Sequence, residues 1–283
     1  KVYPISVCIV WYLRCKLYSK KGLSIKEFRW LQGSGYSQFH TKSEGNIKER
    51  ELEFGHQNIV LALNYLSKLV KKYPKNSEEY YCVEMIIAMI HGNIASYYTY
   101  KGEYENAYEE YLKSKEIRVN LHETIKSMEE WTSKRDFHEK DIEMIALRGT
   151  SDDNIAYVLL KMKSPDYYKA LQHSKLAYAA RKQIKIQHDR FLHSCINYMK
   201  CFVSLVETDL KYNVNAQENR EDYELFVEAR EIALDYYTEE FLNANALYKL
   251  KEVSDMMSEK NEVLFGKGQW EERVLKAIRQ LEK

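Results

Sequence analysis

Between Ala88 and Leu121 the chain reads AMIHGNIASYYTYKGEYENAYEEYLKSKEIRVNL, a stretch that admits few folds. Two segments with helical apolar periodicity flank Gly102, a residue that reverses the chain at little steric cost. Small Ala95 and Ala107 let two helix axes come close, and Tyr98, Tyr104 and Tyr111 fill the space between them, with Ser114 one turn further on. The pattern specifies an antiparallel helical hairpin, and the fold of the whole chain has to accommodate it.

Composition points the same way. In 283 residues there are only 10 Gly and 3 Pro, against ordinary usage of about 7% and 5%. That is too few reversals for many short strands, so an all-α chain of long helices follows. At this length about 75% of the unfolded surface can be buried, enough for a continuous core. Lys+Arg at 43 and Asp+Glu at 42 leave a net charge of +1, hence no overall field that favours nucleic acid or an anionic membrane. The 24 tyrosines fall at helical spacing and fit interhelix packing better than a platform for stacking bases. Five cysteines without a C-x-x-C pair suit a reducing, cytoplasmic setting. The apolar run Val2–Leu13 is shorter than the ~20 residues that a bilayer needs, precedes Arg14 and Lys16, and lacks a signal-type cleavage site. The first residue, Lys1, points to a piece of a longer protein and leaves a larger assembly open.

Three regions are expected. Residues 1–45 form an N-terminal helical cap or the end of a preceding module. It holds an apolar helix from Pro4 to about Lys20 and a second helix opened by the capping box Ser24-Ile25-Lys26-Glu27. Residues 46–260 form a helical repeat array. Its first helix runs to Tyr73 and is stopped by Pro74, and the next starts at Asn76-Ser77 and runs to Tyr100. The second helix of the central hairpin continues to about Thr132, a break falls near Ser133 to Phe137, and a long helix reaches Met162. Asp189 to Leu210 and Arg220 to Tyr237 make a fainter third pair, and Glu239 to Lys260 is helical. Residues 261–283 close the array with an amphipathic helix from Trp270 to Leu281.

The Ala88–Leu121 pattern resembles a tetratricopeptide repeat, whose first helix carries L-G-x-x-Y and whose second carries G-x-Y-x-x-A-x-x-x-Y. A second match has Asn154-Ile155-Ala156 and Leu159 in the first helix and Tyr167, Ala170, Ser174 and Ala177 in the second. Its turn, Lys161 to Asp166, is two residues longer. The resemblance implies an α-solenoid of antiparallel hairpins wound as a right-handed superhelix, with divergent long-helix repeats. Asn93 and Asn154 stand 61 positions apart, rather than the 34 of the standard unit. Either the helices are extended or an extra hairpin intervenes.

Enzyme chemistry finds little support. Gly266-Lys267-Gly268-Gln269 lacks the spacing and the Ser/Thr of a phosphate loop. One Glu-x-x-His, Glu53 to His56, falls short of the two that a di-iron bundle requires and reads as a solvated helix face. On a helix His188, His193 and Cys195 are turned about 140° and 200° apart, so they cannot share an ion. No metal and no cofactor is expected. Arg181-x6-His188 is similar to the R-x(4–6)-H signature of the HEPN ribonucleases, which would use the pair on an RNA phosphodiester. Lys182 stands where that signature has a polar residue, and the plainer reading leaves both residues on the surface of a repeat helix.

The expected site is a concave groove. Asn93 and Asn154 precede Ile-Ala in the two hairpins, and Cys195-Ile196-Asn197-Tyr198 repeats the arrangement. A side-chain amide offers both donors and an acceptor to an extended peptide. Neighbours on the same faces add Ser96 and Tyr100, Tyr157 and Lys161, and Lys200 with Ser204. The favoured expectation is a non-enzymatic tetratricopeptide-like module that binds a peptide or protein segment in that groove. An alternative is the sensor or scaffold part of a larger signalling protein, such as a bacterial NLR-like ATPase or a peptide-responsive regulator. A HEPN-type ribonuclease is the minor alternative.

Overall fold

The structure, a computed structural model, describes residues 49–127, 134–184, 188–209, 212, 216–239, 272, 276 and 279. The expected cap 1–45, the end of the second hairpin helix at 128–133, the helix after 239 and most of the closing helix lie outside the described residues. Within them are seven α-helices and no strand: α1 Glu49–Leu69, α2 Glu78–Lys101, α3 Tyr104–Ser127, α4 Lys134–Lys161, α5 Tyr167–Ile184, α6 His188–Thr208 and α7 Arg220–Glu239. The third expected pair, Asp189 to Leu210 and Arg220 to Tyr237, corresponds to α6 and α7. Helix α4 begins at Lys134, inside the expected break, because Lys134 to Phe137 contains neither Gly nor Pro to stop a helix. Contacts divide the chain between Met144 and Ile145 into two compact units, described here one at a time.

In the first unit, local chemistry sets the helix ends. Tyr73 is extended, with φ −105° and ψ 143°, as the residue before a proline must be. A 3₁₀ turn, Val70–Lys72, therefore closes α1. Ser77 caps α2 by accepting the amide of Tyr80 at 3.1 Å, a contact worth about 1 kcal/mol. The other end of α2 stops at Gly102, whose φ of 75° is left-handed. Its N–H bonds Thr99 O, and the N–H of Glu103 bonds Tyr98 O at 2.9 Å, the paired reversal that satisfies the last carbonyls of a helix. Helix α3 then returns along α2 over Ala95 and Ala107, both 0% exposed. Ser114 Oγ donates to Ala88 O at 2.7 Å across this seam.

In the second unit, Asp166 caps α5 by accepting the amide of Lys169 at 3.0 Å. The hairpin of α4 and α5 uses the same seam as that of α2 and α3. Ile155, Ala156, Ala170 and Ala177 are buried where the first hairpin buries Ile94, Ala95, Ala107 and Ser114. Gly149 matches Ala88, and a Cβ there would stand 3.4 Å from Ala180 Cβ and 3.5 Å from Ala177 O, so the helices nearly touch. Buried Arg181 likewise matches buried Arg118. The offset is 61 positions in the first helix and 63 in the second, the difference being the longer turn. Helices α6 and α7 join through stacked Phe202 and Phe226, centroids 4.9 Å apart, and Tyr198 Oη donates to Asp222 O at 3.0 Å.

Candidate functional site

The two good hairpins carry an imidazole–carboxylate clasp at the same place, with the roles exchanged. In the first, His91 Nδ1 of α2 lies 2.6 Å from Glu110 Oε2 of α3, and Lys113 Nζ reaches the other oxygen of Glu110 at 2.6 Å. In the second, Asp152 Oδ1 of α4 lies 2.7 Å from His173 Nδ1 of α5. Each carboxylate can only accept, so the imidazole Nδ1 carries the shared proton. Burial opposes the charge on Glu110, yet the hydrogen bonds from His91 and Lys113 hold its carboxyl below the ordinary value of 4.5. A third clasp, His122 Nε2 to Asp141 Oδ1 at 2.6 Å, ties α3 to the start of α4.

Beside the clasp in the first unit, α2 and α3 diverge into a cleft of about 360 Å³ lined by Tyr80, Glu84 and His91 on one side and by Lys113, Glu116, Ile117, Asn120, Leu121 and Thr124 on the other. Burial raises the Glu84 carboxyl above its ordinary value, and Tyr80 and His91 offset only part of that.

In the second unit a buried polar knot joins three helices. Arg181 Nε of α5 lies 3.3 Å from Asp153 Oδ2 of α4, and Arg181 Nη2 donates to Thr150 Oγ1 at 2.9 Å. From α6, Ser194 Oγ donates to Asp153 Oδ2 at 2.6 Å and Asn197 Nδ2 to Oδ1 at 3.3 Å. Burial pushes the Asp153 carboxyl up to about 6, against the pull of Arg181, Ser194 and Asn197. The Ser194 hydroxyl donates to a carboxylate that is already bonded from two other sides, and burial drives the neighbouring Cys195 thiol far up, away from its reactive thiolate. The knot is built to hold helices together. Arg181 is thus 4% exposed rather than on a helix surface, because a tertiary partner draws it inward.

The sequence-expected groove residues divide into three sorts. Asn93 and Asn154 are half-buried at equivalent positions, and neither side-chain amide has a hydrogen-bond partner among the described residues. Tyr100 is 66% and Tyr157 41% exposed, Lys161 is exposed, and Lys200 is half-buried. Ser96 is turned inward, donating to Gly92 O at 3.0 Å and lying 3.1 Å from Tyr111 Oη. Asn197 is 6% exposed and sits on Asp153 within the knot. Of this set, the structure brings Asn197 to the residue next to Asn154. Glu53 accepts from Tyr97 Oη at 2.6 Å, and His56 stacks on the Tyr97 ring at 4.2 Å. Among the described residues no group of three or more His, Cys, Asp or Glu could hold a metal ion, and no helix is long and apolar enough to cross a membrane.

The clasps and the knot were not evident from motif spacing, since their members lie 19 to 44 positions apart. Aligning the two hairpins would have exposed the clasps, because His91 falls on Asp152 and Glu110 on His173. No family model and no curated protein matches the chain.

Proposed function

We propose that the chain is a non-enzymatic, tetratricopeptide-like interaction module that holds an extended peptide or protein segment against the first helix of a hairpin. The observation that carries this reading is the pair Asn93 and Asn154. Each stands at the same register of a repeated hairpin, directly before the buried Ile-Ala of the seam, and each amide is without a partner among the described residues. A half-buried amide left open on each hairpin suits a ligand backbone, which needs both a donor and an acceptor. Exposed Tyr100 and Tyr157 on the same helices add flat apolar contact. The ribonuclease alternative is disfavoured, since Arg181 would have to leave Asp153 and a 4%-exposed position to meet a phosphodiester.

Selection of a displayed random-peptide library on the full chain, followed by calorimetry on the enriched peptides, tests the reading. Each amide-to-backbone bond contributes about 0.5–1.5 kcal/mol, so Asn93→Ala with Asn154→Ala should weaken binding about tenfold at unchanged helical content. Enriched peptides that ignore both substitutions would place the ligand elsewhere. A chain that enriches no peptide is not a peptide-binding module.

A further inference from the structure

We draw no further inference here: the strongest candidate, the surface patch of exposed Lys68, Lys71, Lys72 and Lys75 where the end of α1 turns toward α2, carries nothing because no second observation in the structure shows what covers it.

Discussion

Arg181 and Asp153 meet at 3.3 Å with side chains 3% and 2% exposed, a charge pair closed off from water between α4 and α5. Ser194 and Asn197 of α6 complete the coordination of the carboxylate. Such a pair adds little net stability over apolar residues of the same shape, but removing one member strands the other. Its contribution is to fix which helix faces meet.

Arg181→Met should therefore cost about 3–5 kcal/mol at neutral pH, measured by urea denaturation. The pH dependence has a definite sign. The Asp153 carboxyl is raised in the fold from 3.8 to about 6, so the native state binds the proton more tightly than the unfolded chain. Its contribution is fully present below 3.8 and is lost as pH rises through about 6. The Arg181→Met penalty should shrink in mild acid, where Asp153 can shed its charge. Asp153→Leu combined with Arg181→Met should recover most of the loss, and a double variant as unstable as the single one would show that the knot acts through shape instead.

Glu110 behaves in the opposite sense. Although burial opposes it, His91 and Lys113 hold its folded pKa below 4.5. The stability that it contributes is present above 4.5 and lost as pH falls through the lower folded value. The stability difference between the native chain and Glu110→Gln should narrow as pH falls below that point. A difference that widens instead would mean the clasp does not favour the carboxylate.

The part of the fold that local rules govern was legible in the sequence. Gly102 as the turn, Ser77 as a helix start, Pro74 as a breaker and Ala95 against Ala107 all depend on residues close in sequence. Asp153, Arg181 and Ser194 depend on partners 28 and 41 positions away, and no periodicity announces them. Arg181 looked like a surface residue because a lone arginine on a helix usually is one. Its match to Arg118, 63 positions earlier, was the available signal, since two arginines at one register of a repeated seam call for a shared structural reason. Asn197 carried the same difficulty. Its likeness to Asn93 and Asn154 is loose, since it follows Ile196 where they precede an Ile, and its neighbour across the helices is a buried carboxylate.

Gly102 isolates one backbone term. Its φ is 75°, and a Cβ there would meet nothing within 4 Å, so Gly102→Ala should cost about 1–2 kcal/mol from the left-handed conformation alone. Thermal melting with unchanged helical ellipticity would show this. A neutral substitution would mean that the turn relaxes to a different reversal.

The repeated seam makes a paired prediction. Ala107 and Ala170 are both 0% exposed and hold the same place in the two hairpins. Replacing either with Phe forces extra volume into a close helix crossing and should cost about 1–3 kcal/mol. The seam differs at its tightest point, where the first hairpin has Ser114 bonded to Ala88 O at 2.7 Å and the second has Ala177 against Gly149. Ser114→Ala removes one hydrogen bond but leaves the Ala88 carbonyl within its own helix ladder, so the loss should stay near the lower end of the usual 0.5–1.5 kcal/mol. Denaturant midpoints for Ala107→Phe, Ala170→Phe and Ser114→Ala then test the equivalence itself. Two large, similar losses from the phenylalanines beside a small one from Ser114→Ala support one seam used twice. A loss confined to Ala107→Phe would mean that α4 and α5 cross more loosely than α2 and α3, and that the shared spacing of Asn93 and Asn154 does not reflect a shared geometry.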